Sequence, residues 1–165
     1  MKKIIFVRHG KAEDPAPEFP DFERSLTSKG KNISRLMAIK LKERENDLGI
    51  IVTSPAFRAI ETAIIFAGVY SIPPEKIIIN SNLYFSIDQN SFMNILETTD
   101  EGIDKITLFG HNPSFTELPD LFSKESTEAL PKSGIICLSF RTKTWSGIIR
   151  NTGNMDYFLK PRKVL

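Results

Sequence analysis

Short apolar runs alternate with helix-like segments along most of this chain, and this alternation restricts its fold more than any other sequence feature. The runs cover residues 4–7, 50–53, 77–79 and 106–109. A continuous apolar run of this length is typical of a strand buried on both faces, as in a parallel sheet covered by helices. The pattern predicts an α/β fold, a three-layer sandwich with a mostly parallel central sheet.

Helix signals lie between these strands. Thr27 and Ser28 offer an N-cap, and Ser54 followed by Pro55 offers a cap and a first-turn proline. Helices are predicted over about 28–45, 56–67, 90–96 and 113–122. In the first two helices, the apolar spacing places Leu36 and Ile64 on inward-facing stripes.

The pattern changes in the last third of the chain. From Gly134 to Phe140 apolar residues alternate with others, and we expect Ile148 and Ile149 to pair with this strand across the turn at 143–147. These two strands would form an antiparallel edge of the sheet. Residues 158–162 are predicted as a capping strand or loop, and 1–165 as a single domain.

Composition excludes several classes of protein. The formal charge of +2 is too small to indicate a nucleic-acid partner, and the single cysteine, Cys137, allows neither a disulfide within the chain nor a multi-cysteine metal site. No apolar stretch approaches the roughly 18 residues of a membrane span. The four apolar residues after Lys3 also fall short of the core of a signal peptide, about 7–15 residues. We therefore expect a soluble, cytoplasmic protein.

The only two histidines each follow a predicted strand. His9 comes after Arg8 and the first apolar run, and His111 comes after Gly110 and the fourth. Ligands of open α/β sheets bind outside the carboxyl ends of the strands. Two unrelated histidines are the alternative, but Arg8 beside one and Asn112 beside the other favour a functional site.

Arg58 lies in the first turns of the helix that follows the second strand. If these strands are neighbours, Arg8, Arg58 and both histidines converge near helix N-termini, an arrangement suited to binding an anion such as phosphate. Gly10 would let the backbone approach the ligand closely. Surface salt bridges are the alternative interpretation of the two arginines.

Arg8-His9-Gly10 at the end of the first strand resembles the signature of the histidine phosphatase superfamily. The ordered segments 21–30, 53–63 and 110–113 resemble its short SixA-type phosphohistidine phosphatase branch, as do Leu83-Tyr84 and residues 158–162. The resemblance covers nearly the whole chain and leaves no room for an inserted cap domain.

This resemblance implies a phosphoglycerate mutase-like fold and a role for each site residue. His9 would be the nucleophile that accepts the phosphoryl group, Arg8 and Arg58 would bind its oxygens, and His111 would be the second histidine of the pocket. Gly10 and Asn112 would contact the substrate. No metal or cofactor is expected.

One departure concerns the general acid. Larger members of the superfamily carry a carboxylic acid shortly after the third strand, whereas residues 82–86 of this chain contain none. Glu13, Asp14, Asp21 and Asp88 are candidate substitutes, although for Asp21 a structural ion pair with Arg24 is favoured. Absence of the acid suits a phosphohistidine substrate, because protonated imidazole leaves phosphorus more readily than an alkoxide does.

The leading hypothesis is therefore a phosphatase that removes phosphate from phosphohistidine in a signalling protein. The alternatives are a small-molecule (sugar) phosphate phosphatase or phosphotransferase, and a non-catalytic phosphate-binding module. Partners would be a phosphorylated protein or a small phosphate. A nucleic-acid surface at residues 139–145 is less favoured, because the charges there are explained by an exposed strand face.

Overall fold

The computed structural model describes residues 1–162 and contains one six-stranded sheet with helices on both faces. The strands are β1 (Lys2–Arg8), β2 (Ile50–Thr53), β3 (Ile77–Ile79), β4 (Lys105–Gly110), β5 (Ile135–Phe140) and β6 (Asn154–Leu159). The helices are α1 (Ser28–Lys42), α2 (Phe57–Val69), α3 (Gln89–Glu97) and α4 (Ser114–Phe122). No helix among the described residues is long and apolar enough to cross a membrane.

The strand order is β3-β2-β4-β1-β5-β6. The pairs β3–β2, β2–β4 and β4–β1 are parallel, whereas β5 runs antiparallel to both β1 and β6. The predicted three-layer α/β sandwich with a mostly parallel sheet and an antiparallel side is thus confirmed. The final three residues of the predicted domain lie outside the described residues.

Successive side chains of β1 point to opposite faces of the sheet, and each face has its own hydrophobic core. Ile5 and Val7 face a cluster that includes α1 and α2 residues, whereas Ile4 and Phe6 face a cluster that includes α3 and α4 residues. Because all four side chains are fully buried, β1 is anchored on both faces. Its carboxyl end is therefore held rigidly, and the candidate site lies at that end.

Three sequence predictions are wrong in detail. The strand paired with β5 is β6, and Ile148 instead joins the core beside the short 3₁₀ turn Trp145–Gly147, because burying the large Trp145 side chain takes this segment out of the sheet. Leu36 is 65% exposed and Ile64 is 41% exposed. The apolar residues that these helices bury against the sheet are Met37, Ala38 and Leu41 in α1 and Ala63, Phe66 and Ala67 in α2.

Candidate active site

The two histidines lie side by side because β1 and β4 are adjacent parallel strands. Arg8 and Gly110 are partners in the register, and the His9 N–H donates to the Gly110 carbonyl at 3.1 Å. The chain leaves both strands at the same level, so the imidazole centroids of His9 and His111 are 4.9 Å apart. The predicted convergence of the histidines is therefore present in the structure.

The surroundings of His9 favour a neutral imidazole with one nitrogen free to attack. Its Nδ1 is 2.7 Å from the carbonyl oxygen of Gly10, and because a carbonyl only accepts, Nδ1 carries the proton. The lone pair is then on Nε2. Burial, with smaller contributions from the charges of His111, Arg58 and Arg8, lowers the pKa of His9 to about 3. The ring is thus neutral at pH 7.

His111 is also buried, and burial with the nearby charge of Arg58 lowers its pKa to about 4. Its Nε2 is 2.7 Å from the hydroxyl oxygen of Ser54, and the same oxygen accepts from the Ala56 N–H at 3.2 Å. Its Nδ1 is buried and has no hydrogen-bond partner within residues 1–162. Ser54, predicted only as a helix cap, therefore orients His111, and α2 begins later, at Phe57.

The two arginines are held in different ways. Arg8 donates from one terminal nitrogen to the Leu130 carbonyl at 3.0 Å, while its buried Nε has no partner among the described residues. Arg58 donates to the backbone carbonyl of Asp21 at 2.8 Å and to its Oδ2 at 2.9 Å. Burial lowers the pKa of Arg8, and the charges of both guanidinium groups act on His9. Positive potential is therefore concentrated at the histidine pair.

Asp21 is the site residue whose importance the sequence understated. The predicted ion pair with Arg24 is present at 2.9 Å, but the same carboxylate also accepts from Arg58 and from the Tyr84 hydroxyl, each at 2.9 Å. Burial alone raises the pKa of Asp21, yet the hydrogen bonds from Arg24, Arg58 and Tyr84 lower it to about 2. Asp21 is therefore an ionised acceptor that positions Arg58, and it is poorly suited to donate a proton.

The other candidate acids lie elsewhere. Asp88 is an exposed N-cap of α3 and accepts from the Ser91 N–H at 2.9 Å. Glu13 and Asp14 line a surface cleft of about 270 Å³ together with Phe19 and other residues of the loop before α1. None of the three is hydrogen-bonded to either histidine in the described structure.

Gly10 and Asn112 have clear packing roles. The Gly10 N–H donates to the Thr62 hydroxyl at 3.0 Å, and a Cβ at this position would lie 2.5 Å from the Ser34 hydroxyl oxygen. Gly10 is therefore required for close approach to α1. The Asn112 amide donates to the Leu130 carbonyl at 3.1 Å, the group that also orients Arg8. Substrate contact by Gly10 and Asn112 stays a prediction.

Thr62 lies in the segment 53–63 that carries the family resemblance, but the sequence assigned it no role. Its hydroxyl donates to the Arg58 carbonyl at 2.7 Å and accepts from the Gly10 N–H, so it joins α2 to the loop after β1. Within residues 1–162, no three His, Cys, Asp or Glu side chains are grouped so that they could hold a metal ion.

Comparison with known proteins places this arrangement in a family. Residues 4–79 match the model of the histidine phosphatase superfamily, branch 1. An uncharacterized protein of Picosynechococcus sp. is 32% identical over 140 residues, which are 82% of this chain and 84% of that protein.

Solved structures of the same fold include a SixA protein histidine phosphatase complexed with tungstate. It has a TM-score of 0.80 and 24% identity, and the match covers 96% of this chain and 97% of that one. A mycobacterial glucosyl-3-phosphoglycerate phosphatase complexed with VO3 has a TM-score of 0.64 and 11% identity, over 95% and 98% of the two chains. The chain therefore belongs to the histidine phosphatase superfamily, branch 1, and has the fold of its SixA members.

Proposed function

We propose that this protein hydrolyses phosphohistidine through a covalent intermediate on His9. The observation that carries the proposal is the His9–His111 pair, in which hydrogen bonding to Gly10 leaves the Nε2 of a neutral His9 available beside two guanidinium groups. A neutral imidazole nucleophile and preorganised cations are what phosphoryl transfer requires.

The reaction has two steps. In the first, His9 Nε2 forms a bond to phosphorus as the bond between phosphorus and the substrate imidazole breaks. In the second, water attacks the phosphoryl group on His9, which releases inorganic phosphate and regenerates the imidazole. Arg8 and Arg58 stabilise the negative charge on the oxygens in both transition states. His111 takes the tautomer in which the Ser54 hydroxyl donates to Nε2, so the unpartnered Nδ1 carries the proton and donates to one oxygen.

The state of Asp21 supports phosphohistidine as the substrate. This carboxylate is the one that contacts the site arginine Arg58, and its pKa of about 2 keeps it ionised. An alkyl phosphate needs a proton donor for its leaving alkoxide. A phosphohistidine ring that is protonated on its second nitrogen leaves as neutral imidazole, so it needs no acid from the enzyme.

A small-molecule phosphatase is the second candidate, because a glucosyl-3-phosphoglycerate phosphatase shares the fold. The value of kcat/KM for a phosphohistidine peptide, phosphoramidate, p-nitrophenyl phosphate and a sugar phosphate separates the two. We expect the two P–N substrates to be best, the aryl phosphate intermediate and the sugar phosphate poorest. A sugar phosphate that equals phosphoramidate would overturn the proposal and indicate an acid supplied by Glu13, Asp14 or Asp88.

The same assays are to be run with a chelator. Because the arginines and histidines supply the charge stabilisation, we expect full activity in the presence of chelator and inhibition by vanadate. Activity that is lost with chelator and restored by a divalent cation would contradict this site.

A further inference from the structure

Exposed phenylalanines border the candidate site. Phe22 follows Asp21, Phe57 begins α2 and Phe85 follows Tyr84, and these three side chains are 41%, 42% and 56% exposed. Their segments converge because the Asp21 carboxylate accepts hydrogen bonds from Arg58, the residue after Phe57, and from the Tyr84 hydroxyl. We call Phe22, Phe57, Tyr84 and Phe85 the aromatic collar.

The collar reaches the candidate active site through Tyr84. The rings of Phe22 and Phe57 meet edge to face with centroids 6.1 Å apart, and those of Tyr84 and Phe85 are 4.0 Å apart. The Tyr84 ring also lies edge-on to His111, with centroids 5.8 Å apart. Clustered exposed aromatic side chains of this kind mark surfaces that bind other molecules.

The charge next to the collar is negative. Residues 13–23 contain five carboxylates and no lysine or arginine. Of these carboxylates Glu13, Asp14 and Glu18 are exposed, while the adjacent Arg24 is already engaged by the Asp21 carboxylate and the Glu13 carbonyl. Residues 13–23 therefore form an acidic rim beside Phe22 that attracts basic groups and repels anions.

We propose that the aromatic collar docks the protein that carries the phosphohistidine, through a surface of that protein which is apolar and basic around the modified residue. The inference rests on the proposed function and specifies its substrate. A small phosphate ester has no basic groups for the acidic rim to attract and little apolar surface to bury. A protein surface with leucine and lysine beside the phosphohistidine is complementary in both respects.

The test uses three phosphohistidine peptides of equal length, flanked by leucine and lysine, by leucine and glutamate, or by serine and glycine, with phosphoramidate as the small substrate. We expect kcat/KM for the leucine–lysine peptide to exceed that for the serine–glycine peptide by about tenfold, mainly through KM. The leucine–glutamate peptide should be poorer than the leucine–lysine peptide, with a difference that shrinks as salt is added.

In the double variant Phe22→Ser, Phe85→Ser, the ratio of kcat/KM for the leucine–lysine peptide to kcat/KM for the serine–glycine peptide should fall to near one. The matched control is Ile149→Ser. Ile149 is 61% exposed and lines a surface cleft together with Phe140. Phe140 pairs with Lys2 at the amino end of β1, so this cleft lies at the end of the sheet opposite to the candidate active site. This control should retain the full preference.

The outcomes separate the inference from the function beneath it. If phosphoramidate is hydrolysed but the wild type does not discriminate among the peptides, or the double variant keeps the preference, the collar is not the docking surface and the proposed chemistry stands. If neither phosphoramidate nor any peptide is hydrolysed, the proposed function fails and the inference fails with it.

Discussion

Charged and titratable side chains cluster at both ends of strands β1 and β4, and the two ends differ in how the charge is balanced. At the amino ends, Lys3 and Lys105 each donate to the Glu45 carboxylate at 2.9 Å. Lys105 also pairs with Asp47 at 3.0 Å. At the carboxyl ends lie the two histidines, Arg8 and Arg58, with Asp21 as the carboxylate that binds Arg58.

The difference distinguishes a structural cluster from a binding site. At the amino end, each lysine faces a carboxylate, and although burial raises the pKa of Glu45, the lysine hydrogen bonds lower it overall. At the carboxyl end, Arg8 Nε and His111 Nδ1 are buried without partners among the described residues. Buried polar groups are normally satisfied, so the two unpartnered groups support the proposal that the carboxyl end binds an anion, whereas at the amino end the lysines already have carboxylate partners.

The largest expected effect is at the carboxyl end, in His9→Ala. Removing the nucleophile should lower kcat by a factor on the order of 10⁴ or more, as loss of a covalent nucleophile does. Rapid quenching with labelled substrate should detect an acid-labile, base-stable phosphoenzyme in the wild type and none in the variant. Label retained by His9→Ala would refute the assignment of the nucleophile.

Arg58→Ala should have the next largest effect. Losing one preorganised donor costs about 3 kcal/mol of transition-state stabilisation, a factor on the order of 10² in kcat/KM, and vanadate inhibition should weaken in parallel. The control is Arg44→Ala, because Arg44 is exposed and lies over the Tyr157 ring at the amino end. Equal losses in the two variants would mean that Arg58 acts only through general charge.

The amino end is tested by Glu45→Gln. Because this change leaves Lys3 and Lys105 with a weaker acceptor, we expect the free energy of unfolding to fall by about 2 kcal/mol, with kcat/KM of the folded protein unchanged. Urea denaturation measures the loss, and Glu43→Gln on the exposed side of the same segment is the matched control. Loss of activity without loss of stability would show that the two ends are coupled.

The smallest effect, taken per pH unit and per histidine, is in the pH dependence of stability. The pKa values of His9 and His111 are about 3 and about 4 in the folded protein, below the ordinary 6.5. As the pH falls below about 6.5, the unfolded chain therefore takes up protons that the folded protein does not. Above pH 6.5 the two histidines do not lower the free energy of unfolding. As the pH falls below 6.5, each histidine lowers it by up to about 1.4 kcal/mol per pH unit.

Urea denaturation between pH 7 and pH 4.5 measures this slope. His9→Asn should make it shallower, because one of the two contributing groups is removed. A wild-type free energy of unfolding that is constant across this range would show that the histidines are not buried in neutral form.

The sequence by itself determined the alternation of strands and helices, and with it the end of the sheet where the site lies. Strand boundaries follow from local apolar runs, and parallel pairing brings their carboxyl ends together. Arg8, His9 and His111 were therefore identifiable, because each directly follows or ends a buried strand. Local patterning was insufficient at β6, where burial of Trp145 decided which segment pairs with β5.

Only the tertiary structure decided how these side chains are held. Asp21 binds Arg58 across 37 residues, Ser54 binds His111 across 57, and Tyr84 binds Asp21 across 63. Which side chains meet over such separations depends on how loops pack onto the sheet, and no local periodicity encodes it. For this reason Asp21 could be interpreted from sequence as the partner of Arg24, three residues away, while its contact with Arg58 depended on the complete fold.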